Sequence, residues 1–259
     1  MNTQTISYGS GYFYGVRAAR YRKFSGDVSS SKAKDVQALK YFDALVYLCP
    51  SKAESYYGRG TALIQAGEIQ KAIIDFTTAI KLDSSFALAY SNRGTCLNVI
   101  DRYEQAIGDF DVAIELNSDL IEPLYGRGAA YMRLHCYQRA IDDFSAVLKL
   151  CPDSVAYLER AEASYQLARY DEALADCNAA LALDENMVEA YVTRALVQSA
   201  FGKNETAIDD LTKAIALNES YPPAYLLRSA IYRACGSDRW IADKNRAFEL
   251  DNTLNFEPY

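Results

Sequence analysis

Apolar residues in QKAIIDFTTAIKL, EQAIGDFDVAIEL, QRAIDDFSAVLKL, DEALADCNAALAL and ETAIDDLTKAIAL recur three and four apart, with polar residues between them. That is the period of a helix with one buried and one solvated face. Each stretch follows another of the same period across a short polar turn: YYGRGTAL, YSNRGTCL, LYGRGAAY, YLERAEAS and YVTRALVQ, with YLLRSAIY leading a sixth unit. The pattern predicts pairs of antiparallel amphipathic helices. The arginines of the leading stretches (Arg59, Arg93, Arg127, Arg160, Arg194, Arg228) are spaced by 34, 34, 33, 34 and 34 residues. So regular a period marks an array in which each hairpin packs on its neighbours.

Counting Ala53 as position 1 of the first unit places Arg59 at position 7, and the same count applies to each unit. Small residues stand at position 8 (Gly60, Gly94, Gly128, Ala161, Ala195, Ser229) and at position 20 (Ala72, Ala106, Ala140, Ala173, Ala207). Their pairing would let the two helices of a hairpin approach closely. Position 24 carries Phe76, Phe110, Phe144, Cys177 and Leu211, and position 17 carries Ile69, Tyr103, Tyr137 and Tyr170, as knobs between hairpins. Residues 34–50 hold Ala38, Phe42, Leu45, Leu48 and Pro50 in the register of a second helix, so a half-unit precedes the six. Upstream of it the chain is rich in Gly and Ser, with Gly26 at the expected small position. In the last unit Trp240 falls at position 20 and Lys244 at position 24. A Trp opposite Ser229 leaves the register there in question, whereas Lys244 would make the final face polar.

Small residues at 8, 20 and 27, an aromatic at 24 and large residues at 11 and 17 make this chain similar to the tetratricopeptide repeat family from about Ala53 to Leu250. The resemblance implies an all-α, right-handed superhelical solenoid of antiparallel helix pairs. The expected organisation is an N-terminal extension (1–31), a half-repeat helix (32–52), six tandem repeats (53–255) and a tail (256–259). Of the six repeats only one has proline at position 32 (Pro152), so less rigid turns between hairpins are expected. In this family the first helices line a concave surface through positions 2, 5, 6, 9, 12 and 13. Carried over, that surface includes Glu54, Tyr57, Thr61, Leu88, Asn92, Thr95 and Asn98. It continues with Glu122, Tyr125, Met132, Arg133, Leu158, Glu159 and Glu162, then Val192, Thr193, Leu196 and Ser199. Tyr57, Asn92, Thr95, Tyr125, Arg133, Glu159 and Glu162 are the expected partner contacts. One subfamily grips a carboxylate tail with Lys, Asn and Arg at five such places. Here these are Tyr57, Thr61, Asn92, Glu122 and Gly126, of which only Asn92 fits, so that ligand is disfavoured.

Arginine at position 7, where the family more often has leucine, coincides with aspartate at position 23: Asp75, Asp109, Asp143, Asp176, Asp210 and Asp243. The half-unit has Ser25 and Tyr41 at those places and so lacks both. Joint presence and joint absence predict an ion pair inside each hairpin. The guanidinium could also reach helix carbonyls. A row of arginines reading an acidic ligand is the alternative, with the aspartates as competitors.

Half of the residues are apolar, enough for a core, and 27 Lys and Arg against 34 Asp and Glu leave a formal charge of −7. With no long basic run, nucleic acid is not an expected partner. Six scattered cysteines without a CxxC pair suggest neither zinc nor disulfides. The one histidine, His135, adjoins Cys136 in a turn, where neighbouring side chains diverge too far to form a base and nucleophile. Paired carboxylates such as Asp142 and Asp143 divide between the solvent face and the arginine. The sequence thus reads as a non-catalytic module without cofactor or metal. It is expected to bind a protein or peptide as an adaptor, scaffold or assembly factor. Self-association into an oligomeric scaffold is the alternative. No stretch reaches the roughly 18 to 20 apolar residues of a membrane span, and a reducing, cytoplasmic setting is the expectation.

Overall fold

The computed structural model describes residues 32–251; residues 1–31, expected as an N-terminal extension, and the tail at 256–259 lie outside them. The described residues form thirteen α-helices and no strand. Among them, helix α1 (Lys32–Leu48) precedes six hairpins: α2 (Ala53–Gln65) with α3 (Ile69–Leu82), α4 (Ala87–Val99) with α5 (Tyr103–Leu116), and α6 (Ile121–Arg133) with α7 (Tyr137–Leu150). Then come α8 (Ser154–Gln166) with α9 (Tyr170–Leu183), α10 (Val188–Ala200) with α11 (Asn204–Leu217), and α12 (Pro222–Ala234) with α13 (Trp240–Leu250). Contacts divide the chain after Gly126 into two compact units. In the first, consecutive helices from α1 to α5 pack in sequence and first helices α2 and α4 also touch. In the second, packing runs in sequence from α7 to α13, and α10 touches both α8 and α12.

The core lies at positions 20, 24 and 27. Ala72, Phe76 and Ala79 are 0% exposed, as are Ala106, Phe110 and Ala113, and Ala173, Cys177 and Ala180. What the glycine at position 8 accommodates is the ring at position 24. A Cβ on Gly60 would sit 2.7 Å from Phe76, one on Gly94 2.8 Å from Phe110, and one on Gly128 2.9 Å from Phe144. The same ring can crowd the next hairpin: a Cβ on Gly126 would lie 2.4 Å from Phe110. Each large knob is therefore matched by missing side chains around it.

Every hairpin turns through a left-handed residue at position 15: Gly67, Gly202 and Gly236, but also Asp101, His135 and Ala168. The next N–H then reaches back to the carbonyl at position 11, as from Glu68 to Leu63 and from Arg169 to Ser164, both at 2.9 Å. This six-to-one bond closes the helix end. Asp101 and His135 each reach the tyrosine two residues on, His135 Nδ1 lying 2.7 Å from the Tyr137 hydroxyl. Ala168, at φ 56°, has no side chain to use in this way and carries a Cβ in a region that disfavours one. Ala168→Gly is expected to raise stability by about 1 kcal/mol, read as a higher urea midpoint; an unchanged midpoint would mean the turn is unstrained.

Turns between hairpins hold a device other than proline. Asp83, Asn117, Asp184 and Asn218 at position 31 accept hydrogen bonds from the backbone N–H two residues on, at 2.9 to 3.1 Å. Where Pro152 is present, Asp153 caps α8 by accepting from Ala156 N at 2.7 Å. At the last hairpin, α13 starts at Trp240, which fills the place of Ala72 three residues inside α3. Its missing first turn frees the indole, which lies 5.7 Å from the Arg233 guanidinium and 5.6 Å from Lys244 Nζ. Asp243 thereby keeps the register counted from Ala247.

Candidate functional site

A guanidinium at position 7 lies between the two helices of its hairpin and offers a fork that matches a carboxylate. Arg93 donates from Nε and Nη2 to the two oxygens of Asp109, both at 2.7 Å, and Arg194 does the same to Asp210 at 2.7 Å. Arg59 with Asp75, Arg127 with Asp143, Arg160 with Asp176 and Arg228 with Asp243 share this geometry at 2.6 to 3.0 Å. The carboxylate side chains are 5% to 10% exposed and the arginines 15% to 25%, so each pair is shielded on its acidic side. These hydrogen bonds raise the pKa of Arg59, Arg93, Arg160 and Arg194 above the ordinary value against the opposing effect of burial.

The remaining nitrogen does not go to helix carbonyls. In five of the six, Nη1 donates to the side chain at position 25 of the preceding second-type helix: Asp43 from Arg59, Thr77 from Arg93, Ser145 from Arg160, Asn178 from Arg194 and Thr212 from Arg228, at 2.8 to 3.1 Å. Tyrosine one turn before the arginine supplies a ring face as well, with guanidinium carbons 5.4 to 5.9 Å from Tyr56, Tyr90, Tyr157, Tyr191 and Tyr225. Leu124 takes this place before Arg127. A tyrosine three residues ahead of five arginines was the available signal for the stacking. The arginine row is thus engaged within the frame: all six bind the aspartate of their own hairpin, and five also bind the helix before it.

The expected partner contacts lie on other positions of the first helices. In the first unit, Tyr57 on α2 is half-buried, its ring 4.9 Å from Phe86 and 5.8 Å from Phe76, and its hydroxyl accepts from Asn92 Nδ2 at 3.2 Å. These two expected contacts come together across α2 and α4. Thr61 and Thr95 hydroxyls instead donate to the carbonyls one turn back, of Tyr57 and Ser91. Asn98 donates to the Gly126 carbonyl at 2.8 Å. Beside them Leu88 is 41% and Val99 57% exposed, while Tyr125 is half-buried. In the second unit, Arg133 is exposed at the end of α6, Glu162 is half-buried, and Glu159 is only 7% exposed. Met132, Leu158, Val192 and Thr193, also assigned to the first-helix surface, are buried at 1% to 3% exposure. Leu196 and Ser199 remain partly accessible.

Burial pushes the Cys96 and Cys177 thiols up to about 12, far from a reactive thiolate. Among the described residues no group of three His, Cys, Asp or Glu could hold a metal, and no helix is long and apolar enough to cross a membrane.

Family models described as tetratricopeptide repeat match residues 17–85, 57–120, 121–154, 155–187 and 188–221. Among solved structures, the chain is 26% identical to a tetratricopeptide repeat protein from Parabacteroides merdae ATCC 43184, with a TM-score of 0.66 over 85% of this chain and 88% of that one. It is 22% identical to YrrB, described as a TPR protein with an unusual peptide-binding site, with a TM-score of 0.64 over 72% and 97% of the two chains. PilW, described as a widely conserved type IV pilus biogenesis factor, is 17% identical with a TM-score of 0.70 over 78% and 94%. The likeness to YrrB and PilW is one of fold. No curated protein matches the chain in sequence.

Proposed function

The chain belongs to the tetratricopeptide repeat family, whose members are typically protein-interaction scaffolds, and from that premise we propose that it is a non-catalytic adaptor or assembly factor that receives a segment of a partner protein on its first-helix faces. The observation that carries this reading is the contrast between frame and face. The Arg and Asp pair recurs in all six hairpins, whereas the first-helix face changes from one hairpin to the next. In the first unit that face combines exposed Leu88 and Val99 with the hydrogen-bonded Tyr57 and Asn92, an apolar surface with polar tethers. Thr95 and Tyr125 extend it. In the second unit Arg133 and Glu162 are the proposed contacts, whereas Glu159 is buried. YrrB's description as a peptide-binding TPR protein favours a peptide as the received segment.

Affinity capture with the intact chain and with a Leu88→Ser, Asn92→Ala, Val99→Ser variant tests the reading. These side chains are exposed or half-buried, so the variant is expected to fold. Captured partner should drop about tenfold, the scale of truncating one interface residue that contributes somewhat more than about 1 kcal/mol. Recovery at full strength would remove this face from consideration. Mass in solution over a dilution series separates partner binding from self-association.

A further inference from the structure

If the first-helix face of the first unit receives a partner segment, as proposed above, we infer that the segment is extended and basic, with two Lys or Arg side chains flanking an apolar one. The second residue of each first helix forms a row: Glu54 on α2, Leu88 on α4 and Glu122 on α6. Both glutamates are exposed, and neither makes an ion pair or side-chain hydrogen bond among the described residues. Leu88 between them is 41% exposed. A first-turn glutamate also suits a helix N-terminus, but that role does not neutralise it.

Among the described residues, α2, α4 and the start of α6 hold no cation left to do so. The basic residues on α2, α4 and the start of α6 up to Gly126 are Arg59 and Arg93, both held by aspartates at 2.7 Å. Lys52 and Arg102 stand in turns, and Lys40, Lys71 and Lys81 on second-type helices. The row is therefore acidic, apolar, acidic, and its electrostatic complement is cationic, apolar, cationic.

Spacing sets the partner's pattern. First helices α2 and α4 are in contact, and packed helices lie about 8–10 Å apart. Two such steps separate Glu54 from Glu122 by roughly 20 Å. An extended chain rises about 3.3 Å per residue, so the two basic residues stand about six apart with the apolar one midway. The polar tethers favour an extended backbone over a helix. Asn92 spends its amide N–H on Tyr57, which leaves its carbonyl oxygen to accept, and an extended segment has free backbone N–H groups to offer.

The test is a phage-displayed library of random peptides about twelve residues long, enough to span the row in extended form, selected on the full chain. Enriched peptides are then measured by fluorescence polarisation. Expected are peptides with two Lys or Arg about six apart around an apolar residue. Exposed ion pairs are weak, so Glu54→Gln with Glu122→Gln should weaken binding about five-fold, less at high salt. Glu104→Gln with Glu115→Gln on α5 changes the net charge equally and should leave binding unchanged. Acidic or neutral enriched peptides would overturn the inference, as would equal weakening by both double variants. Peptides weakened by Leu88→Ser, Asn92→Ala, Val99→Ser but not by the Glu54 and Glu122 changes would remove the acidic row and leave the groove. Peptides insensitive to all of these, or no enrichment, would remove both.

Discussion

Replacing Arg194 with leucine should cost the chain about 3 kcal/mol, the lower end of the range for removing one partner of a buried ion pair. The lower end applies because the Arg194 side chain keeps 22% exposure, while that of Asp210 keeps only 10%. The loss arises mainly from the aspartate left behind. Its two oxygens accept from Arg194 at 2.7 Å, and leucine offers them nothing in a position that water scarcely reaches. The contact to Asn178 of the preceding hairpin, at 2.8 Å, and the stacking on Tyr191, at 5.4 Å, disappear as well. Arg194→Met with Asp210→Leu should recover most of the loss, since apolar residues of similar volume replace such pairs at little net cost. Urea unfolding monitored by circular dichroism provides the comparison. A double variant as unstable as Arg194→Leu would mean that the two residues do not act as a unit.

The legibility of this frame was uneven, for a physical reason. A bidentate pair needs one geometry, so it leaves the same two letters sixteen residues apart in five hairpins and fifteen apart in the last, where the turn is a residue shorter. The third guanidinium nitrogen needs only an oxygen. Asp43, Thr77, Ser145, Asn178 and Thr212 all supply one, and so varied a set leaves no repeated letter to read. Turn chemistry is degenerate in the same sense, since Asp or Asn at position 31 orders a connection that the missing proline suggested would be loose.

The helix periods and repeat length were fully legible, because both follow from hydrophobic spacing. The candidate face was legible only by position, not by accessibility. The register that sets Gly58 against Phe42 and Gly126 against Phe110 turns position 6 toward the preceding hairpin. Glu159 occupies that position and is 7% exposed for this reason, while Glu162, one turn on, is half-buried. Trp240 looked incompatible with a close crossing because the sequence count assumed a full-length helix. The shortened α13 removes the conflict.

Packing at positions 8 and 24 leads to the second large effect. Phe76→Ala should cost about 3–5 kcal/mol, the usual range for removing a fully buried ring, since Phe76 is 0% exposed. Gly60→Ala tests the same contact from the other side. In a helix interior, alanine in place of glycine is intrinsically favourable by about 1 kcal/mol. Here the added Cβ would meet Phe76 Cε1 at 2.7 Å, too close for a ring with no free space around it, and overpacking of this kind costs about 1–3 kcal/mol. The substitution should therefore destabilise. In a Phe76→Leu background its sign should reverse, because the smaller knob leaves room for the methyl group, recreating the Ala195 and Leu211 combination that stands at these positions in the fifth hairpin. Chemical denaturation of the wild type, both single variants and the double variant gives the coupling directly. If Gly60→Ala has the same effect in both backgrounds, the ring at position 24 is not what requires glycine at position 8, and the match of knob and gap within the hairpin has another cause.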